Sequence, residues 1–389
     1  MVYIEGYSLI SSLGESAKDS AKAIQNSHTE PIILKDGNRF YNIKNRQEDD
    51  YYDLIERITQ EAIESANLTP EDLSNIALFV GTCSALLPIN EAYAKINGDA
   101  LRELDMSTIN TKISHRLGIK GFSSIISTAC TSSSNALLQA KEMIESGLVE
   151  KAIVVGVELY NEVTLKGFES FMLLSKERMR PFDSRRDGVI LGEALSALVL
   201  GKTEGEFEIV SGSIKVDTTS ITSPTPTNLS HVMREAISQA KIEPKDIVLI
   251  KTHSTSTRQN DDAESKAIHM LFDTLPPITG LKPYIGHTMG ACGTSELVLL
   301  IEAIRQGFIP KSINFQEQDS ECNIIPLEHT IEPKEGYYLL NYFGFGGNNS
   351  SLVIKYSKLP KLGTDGFSLV TFGTKVSDSK KFCKMSNGV

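Results

Sequence analysis

The chain has 389 residues, of which 40% are hydrophobic and 23% charged, and its formal net charge is −10 at pH 7. This composition is ordinary for a soluble globular protein, and the length favours two domains or two fused halves. The negative charge argues against general nucleic-acid binding, which needs a basic surface. Because no apolar run reaches about 18 residues and no signal peptide is evident, we expect a cytoplasmic protein without a membrane span.

Strand-like and helix-like segments alternate along most of the chain, which indicates an α/β fold. In chain order the predicted elements are a helix (50–68), a capped turn (69–73), a strand (75–82), a strand ending at Ile126, a helix ending at Gly147, strands (151–158 and 194–202), a helix (230–242), a turn (242–246) and a strand (247–251). The order helix, Pro-acidic turn, strand occurs twice. We therefore predict two similar halves, 1–205 and 206–358, followed by a peripheral tail at 359–389.

Cys130 is the most informative of five scattered cysteines, which contain no CxxC pair and so predict neither disulfides nor a metal site. It follows Ile125 and Ile126 and precedes a helical pattern, so we expect a sharp turn between strand and helix. Backbone N–H groups and the helix dipole favour a thiolate there, and should lower the thiol pKa from about 8.5 toward neutrality. A buried, inert cysteine also suits this position, and the segment alone leaves both interpretations open.

Three further segments place chemistry-bearing side chains in loops beside predicted strands or helices. His253 lies just past a strand end, where open α/β sheets bind their ligands. His287 lies in a Gly-flanked turn before a helix rich in small residues. Phe345 lies between Gly344 and Gly346, where glycines allow positive φ angles and close approach of the backbone to a ligand.

In this order, five motifs resemble those of the β-ketoacyl-ACP synthases, the elongating condensing enzymes of the thiolase-like superfamily. The resemblance covers most of residues 1 to about 357, and its motifs are TACTSSSNAL (128–137), RMRPFDSRRDGVILGEALSALVL (178–200), HSTST (253–257), KPYIGHTMGACG (282–293) and GFGGNNSSLVI (344–354). It implies a duplicated five-layer αβαβα fold that is usually dimeric. It also implies an acyltransferase that condenses a Cys-bound acyl group with malonyl-ACP, with loss of CO₂, in fatty acid or polyketide elongation.

The resemblance assigns catalytic roles to five residues. It implies that Cys130 accepts the acyl group and that His253 and His287 complete a Cys-His-His triad. Two imidazoles with ring N–H groups aimed at one oxygen suit the enolate formed by decarboxylation. Lys282 matches a lysine that orients the histidines, and Glu264 matches the acid that pairs with this lysine.

Three more residues are implied to line the substrate path. Thr255 and Thr257 match threonines that hydrogen-bond the phosphopantetheine arm, and Phe345 matches a phenylalanine that gates access of the malonyl group. The backbone N–H groups of Cys130 and Phe345 are implied to form the oxyanion hole. Because the substrates are carried on the phosphopantetheine of acyl carrier protein, no separate cofactor is expected.

A basic segment is the candidate docking surface for the acidic carrier protein. It contains Arg178, Arg180 and Arg185, and Arg46 lies in a second region that resembles a docking edge. A solvated turn built around a structural Asp183 is the competing interpretation of the first segment.

The sequence departs from the family pattern at Ser254, where glycine is usual, and in short connections at 82–108 and 213–230. Within the superfamily, the main alternative is a specialised type II polyketide or aryl-polyene ketosynthase that pairs with a chain-length factor. A homodimer and such a heterodimer both remain open. A non-catalytic chain-length factor is disfavoured by Cys130, a thiolase by the two histidine motifs, and an initiating synthase by the absence of asparagine at either histidine.

Overall fold

Apolar segments rich in β-branched residues form the strands, and the strands Ala152–Glu158 and Ala194–Gly201 are buried along their whole length. The computed structural model describes residues 1–26, 29–44, 46, 51–98 and 101–359. Its strands are β1 (Tyr3–Ser11), β2 (Ile32–Ile33), β3 (Arg39–Tyr41), β4 (Ala77–Gly81), β5 (Ser123–Ile126), β6 (Ala152–Glu158), β7 (Leu191–Gly192), β8 (Ala194–Gly201), β9 (Phe207–Val216), β10 (Ile247–Lys251), β11 (Ile278–Thr279), β12 (Gly336–Phe343) and β13 (Asn348–Tyr356).

Segments with an apolar face form most of the helices. They are α1 (Ala17–Gln25), α2 (Tyr51–Ser65), α3 (Pro70–Asn75), α4 (Leu87–Asn97), α5 (Ser107–Leu117), α6 (Ser132–Glu145), α7 (Glu162–Ser170), α8 (Pro226–Gln239), α9 (Arg258–His269), α10 (Lys282–Ile285) and α11 (Cys292–Arg305). The segment predicted as a capped turn is the short helix α3, which Thr69 and Asp72 begin with a reciprocal capping box. No helix in the described ranges is long and apolar enough to cross a membrane.

The strand order of the large sheet repeats. Across the described residues it runs β11-β10-β12-β13-β9-β1-β8-β6-β4-β5. From either edge to the centre, the strands come third, second, fourth, fifth and first in the chain order of their half. Within each half the outer three strands are parallel and the inner two antiparallel to their neighbours. Within the sheet, the two halves pair through β1 and β9, where Tyr3 lies opposite Glu208. The fold is therefore α/β and duplicated, as the sequence predicts.

Alternate residues of each strand face different helix layers. In β4, Leu78 and Val80 pack with the helix α2, whereas Ala77 and Phe79 pack with α6 and α11. In the second half, Ile250 of β10 packs with α8 and α9, whereas the neighbouring residue Leu249 packs with α6 and α11. The helices α6 and α11 thus form the central layer of five, between the two half-sheets.

Residues 1–358 form one compact unit. The predicted boundary between halves, at 205 and 206, falls in the connection between β8 and β9. The predicted tail lies outside the described residues except for Leu359.

Gly293 permits the contact between the two central helices, and its replacement by alanine is expected to destabilise the fold. A Cβ atom at Gly293 of α11 would lie 2.1 Å from the Ser134 backbone nitrogen of α6. Backbone atoms of a buried helix cannot move aside cheaply, so we expect Gly293→Ala to reduce the free energy of unfolding by about 3 kcal/mol. Urea unfolding measures this. Gly167→Ala on α7, where a Cβ meets nothing within 4 Å, is the control and should not lower stability, because alanine favours a helix interior over glycine. Equal stability of the two variants would contradict the packing argument.

Candidate active site

Cys130 lies in the tight turn between β5 and α6. The preceding residue, Ala129, has a φ of +53°, and this left-handed conformation turns the chain sharply before Thr131 begins the helix. The small side chains of this segment allow neighbouring segments to pack closely against the turn. The Cys130 side chain is buried but lines a cavity that it shares with His253 and His287. The structure therefore brings together the three residues predicted to form the triad.

The electrostatic environment of Cys130 differs from the sequence prediction. Burial raises the pKa of Cys130 to about 11, although the Lys282 charge and hydrogen bonds from the backbone N–H groups of Phe345 and Cys130 oppose this shift. The predicted fall toward neutrality is wrong because removing the thiolate from water outweighs the stabilisation at the helix start. Without substrate, Cys130 is a thiol at neutral pH. The two backbone N–H groups predicted to form an oxyanion hole both point at its sulfur.

This raised pKa predicts the pH dependence of Cys130 alkylation. Iodoacetamide reacts with the thiolate, so the rate should rise about tenfold per pH unit between roughly pH 7 and 10. Intact-mass time courses measure the rate, and Cys130→Ala supplies the background from the other cysteines. A rate that levels off near neutral pH would instead support the low pKa expected from the sequence.

His287 is held as a neutral imidazole that donates from Nε2. Its Nδ1 accepts a hydrogen bond from the Met289 backbone N–H at 3.2 Å and lies 3.1 Å from the Cys292 Sγ. Its Nε2 lies 3.1 Å from the Cys130 Sγ. Burial and the charge of Lys282 lower the pKa of His287 well below its ordinary value. With Nδ1 accepting, the ring proton is on Nε2 and faces the nucleophile.

His253 is fixed in the same tautomer by a different partner. It follows β10, and its Nδ1 lies 3.2 Å from the Lys282 Nζ. Burial lowers the pKa of His253 well below its ordinary value, and the charges of Lys282 and His287 add to this shift. The pKa of Lys282 stays above its ordinary value, because the charge of nearby Glu296 outweighs the effect of burial. An ammonium group only donates hydrogen bonds, so Nδ1 of His253 accepts and Nε2 carries the proton. The two imidazole rings meet edge to face, with centroids 5.5 Å apart.

The predicted pairing of Lys282 with Glu264 is wrong. The Lys282 Nζ donates to Oε1 of Glu296 at 2.7 Å, and the other oxygen of Glu296 accepts from Lys251 at 2.6 Å. Glu296 lies on α11, which packs directly against the Lys282 turn, and it is fully buried with both lysines. The helix geometry therefore selects Glu296 as the counter-ion of Lys282.

Glu264 instead fixes the loop that carries His253. Its carboxylate accepts hydrogen bonds from the backbone N–H groups of His253 and Ser254 at 2.8 and 2.9 Å, and from the Asn341 side chain at 3.3 Å. Ser254 has a φ of +43°, which explains why glycine is usual there in the family that the sequence resembles. Gly280 makes room for the extra side chain, since a Cβ at Gly280 would lie 2.6 Å from the Ser254 Oγ.

The cavity above the triad combines aromatic and hydroxyl side chains. Phe345 forms part of its wall and stacks on Phe168, with ring centroids 5.4 Å apart. Thr255 and Thr257 also line it, and their hydroxyl oxygens are 2.9 Å apart. The remaining wall is mostly apolar and includes Phe171, Leu173, Val189, Ile221 and Phe343.

The arginines of the predicted docking segment lie outside the cavity lining. Arg178 is exposed, Arg180 pairs with Glu177, and Arg185 is 48% exposed and lies 3.2 Å from Asp183. Asp183 is fully buried and accepts backbone hydrogen bonds from a second loop, so it has a structural role. The segment thus contains a structural carboxylate and exposed cations together.

Arg46 is placed differently from the other predicted docking residues. It forms an ion pair with the buried Glu193 at 3.0 Å, and only 15% of its side chain is exposed. Glu193 also accepts backbone hydrogen bonds from Ile43 and Tyr160. These contacts favour a structural role for Arg46.

Four buried residues of the site were missed from the sequence: Lys251, Glu158, Cys292 and Glu296. Glu158 accepts backbone hydrogen bonds from Cys83 and Gly290, which ties a neighbouring loop to the turn after His287. An acid among the small and apolar residues that begin α11, and a lysine that ends the apolar strand β10, are the signals that could have found Glu296 and Lys251. In the described part of the chain, no group of three or more His, Cys, Asp or Glu residues is arranged to hold a metal ion.

Comparisons with known proteins find similar sequences and similar folds. The chain is 32% identical over 246 residues to 3-oxoacyl-(acyl-carrier-protein) synthase 2 of Mycobacterium leprae, which covers 58% of each chain. It spans less than two thirds of the length of such relatives. Among solved structures, a β-ketoacyl synthase from Burkholderia phymatum STM815 superposes with a TM-score of 0.82 at 24% identity, covering 92% of this chain and 99% of that one. The ishigamide ketosynthase/chain length factor gives the same score and coverage at 23% identity.

These structural likenesses show the thiolase-like fold, and two family models identify the family. The model described as beta-ketoacyl synthase, N-terminal domain, matches residues 10–205, and the one described as beta-ketoacyl synthase, C-terminal domain, matches residues 207–316. The first match contains Cys130 and the second contains both histidines. The chain therefore belongs to the β-ketoacyl synthase family.

Proposed function

We propose that this chain condenses an acyl group bound to Cys130 with a malonyl thioester, with loss of CO₂, to give a β-ketoacyl thioester. The observation that carries this proposal is one cavity holding a thiol and two neutral imidazoles, His253 and His287, each with its proton on Nε2. Because Nδ1 of each ring already accepts a hydrogen bond, neither histidine is free to act as a general base. Hydrogen-bond donors without a strong base suit a reaction that begins by losing CO₂ and forms an enolate.

The first step transfers the acyl group to Cys130. The sulfur attacks the thioester carbonyl, the new C–S bond forms, and the carrier thiol leaves with the proton that Cys130 gives up. The negative oxygen of the tetrahedral intermediate is stabilised by the backbone N–H groups of Cys130 and Phe345, which already point at the sulfur. The nearby charge of Lys282 also favours the thiolate.

The second step breaks the bond between the malonyl carboxylate and the methylene carbon. CO₂ leaves, and the electron pair moves onto the thioester oxygen, where the Nε2–H groups of His253 and His287 stabilise it. The methylene carbon then attacks the acyl carbonyl, the bond to the Cys130 sulfur breaks, and the sulfur takes a proton from solvent. The β-ketoacyl chain remains on the malonyl thioester.

The substrates in this proposal are carried on the phosphopantetheine arm of an acyl carrier protein. Thr255 and Thr257 would hydrogen-bond the arm, and Phe345 would move to admit the malonyl group. Exposed Arg178 and Arg185 would contact the acidic carrier. The reaction needs no further cofactor, and the cytoplasm is the compartment we expect. Fatty acid elongation and a specialised type II polyketide or aryl-polyene pathway use the same chemistry.

Reconstitution tests the proposal. The purified protein is incubated with an acyl-carrier thioester and malonyl-carrier protein, and the products are identified by mass spectrometry. We expect a β-ketoacyl-carrier product and CO₂ in equal amounts. Acyl-enzyme without any chain extension, across carriers with short and long acyl groups, would contradict condensation as the function of this chain alone and favour an obligate partner subunit.

We also propose that a second chain pairs with the edge strand β5. In the described residues β5 is bonded on one side only, by β4, and next to it Phe122 is 49% exposed. The helix α5 contacts β5, and the segment before α5 exposes Leu101, Leu104 and Met106. An open strand edge beside apolar side chains suits a symmetric partner. Native mass spectrometry distinguishes a homodimer from a monomer that requires a chain-length-factor-like subunit.

A further inference from the structure

Lys251 is a buried cation that the steps above leave without a role. It ends β10, two residues before His253, and its side chain is fully buried. Its Nζ donates to Oε2 of Glu296 at 2.6 Å and to the carbonyl oxygen of Asn341 at 2.8 Å, and lies 3.6 Å from the ring centroid of Tyr342. Because a buried ammonium group is costly without partners, these contacts hold Lys251 in one place.

Glu296 is shared between two lysines. Its Oε2 accepts from Lys251, and its Oε1 accepts from Lys282 at 2.7 Å. An ammonium group has three N–H donors and no acceptor. Because Lys251 occupies one carboxylate oxygen, Lys282 binds Glu296 through the other oxygen and keeps an N–H for Nδ1 of His253, 3.2 Å away.

We infer that Lys251 is a positioning residue for His253, acting through Glu296 and Lys282. By holding Oε2 of Glu296, it keeps Lys282 within hydrogen-bond distance of His253 and so keeps the His253 proton on Nε2. When Lys251 is lost, Glu296 draws Lys282 toward both of its oxygens, and the hydrogen bond that selects the tautomer weakens. The inference rests on the proposed function, in which Nε2–H of His253 stabilises the enolate.

Protonation of Lys251 links this arrangement to pH. Burial lowers the pKa of Lys251 to about 8, against the effect of Glu296. The titratable groups that face Lys251 are Glu296 and Cys292 on α11, Lys282 on α10, Glu264 on α9, Tyr342 on β12, and His253 and His287 in the adjoining loops. Below about pH 8 the charged lysine pairs with Glu296, and above this pH the pairing weakens. We therefore expect CO₂ release to fall as the pH rises through about 8.

The test compares wild type, Lys251→Gln and Lys251→Arg. Single-turnover release of CO₂ from malonyl-carrier protein is followed between about pH 6 and 10, on enzyme whose Cys130 is already acylated so that the thiol does not titrate. Acylation of Cys130 and thermal unfolding are measured on the same samples. Lys245→Gln, in the turn before the same strand and with its side chain 76% exposed, is the matched control.

We expect wild type and the Lys245 variant to lose CO₂ release above about pH 8. Lys251→Gln should release CO₂ about tenfold more slowly at neutral pH, without this alkaline fall, and should acylate Cys130 at nearly the wild-type rate. Lys251→Arg should move the fall to higher pH. The inference is overturned if the wild-type rate of CO₂ release does not change with pH through this range, and this result does not depend on the folding of either variant. It is also overturned if Lys251→Gln shows the same alkaline fall as wild type. Absence of CO₂ release from wild type at every pH would instead overturn the proposed function.

Discussion

Replacement of Cys130 by alanine is expected to abolish acyl-enzyme formation. The thiol lines the cavity, accepts hydrogen bonds from the backbone N–H groups of Phe345 and Cys130, and lies 3.1 Å from Nε2 of His287. No other thiol contacts this nitrogen in the described residues, so the loss of acylation should be complete. Intact mass after incubation with an acyl-carrier thioester measures the acyl increment directly.

Cys292→Ala is the matched control for this experiment. Cys292 is also a buried thiol in contact with His287, but it lies 3.1 Å from Nδ1, on the opposite side of the ring from Cys130. Burial raises the pKa of Cys292 above its ordinary value, so it stays a thiol. We expect this variant to keep the acyl increment. An increment of the same size in Cys130→Ala would show that another nucleophile accepts the acyl group.

The same variant separates the two steps of the proposed reaction. The donors assigned to the enolate belong to His253 and His287, and their tautomers are fixed by Lys282 and Met289 rather than by the thiol. Cys130→Ala should therefore still release CO₂ from malonyl-carrier protein while forming no β-keto product. Loss of both activities would mean that the thiol takes part in decarboxylation.

Local patterns predicted several of the elements and the position of each triad residue. Apolar strands followed by small or polar residues indicate where a side chain leaves a strand end, and this signal placed Cys130 and His253 in loops. The flanking glycine placed His287 in a turn before a helix. The repeated order of helix, turn and strand predicted the duplication. These features depend on neighbours within a few residues, which a single sequence displays.

Local sequence patterns could not predict contacts between segments that are far apart in the chain. Glu296 lies in a different element from both Lys251 and Lys282, and only the packing of α11 against β10 and α10 shows that it pairs with both lysines. Glu264 was assigned to Lys282 because of its position in the motif, yet it binds backbone N–H groups of the His253 loop. The direction of the Cys130 pKa shift was wrong for a related reason, because the extent of burial depends on the whole cavity.

His253→Ala is expected to reduce CO₂ release by about 10²- to 10³-fold, the usual effect of removing one oxyanion donor. Acylation of Cys130 should change far less, because His253 contacts Lys282 and not the nucleophile. His287→Ala should reduce CO₂ release by a similar factor and also affect acylation, since its Nε2 lies 3.1 Å from the Cys130 sulfur. Rates of CO₂ release and acylation, measured separately for each variant, give the comparison.

The two histidines can be tested against a histidine outside the site. His269 ends α9 and bonds the backbone oxygen of Asn323, so His269→Ala should leave both rates unchanged. His253→Gln retains a neutral N–H donor and should recover part of the CO₂ release lost in His253→Ala. Equal losses of acylation and CO₂ release in His253→Ala would contradict the enolate role, because a donor that acts only on the malonyl thioester has no effect before that substrate binds.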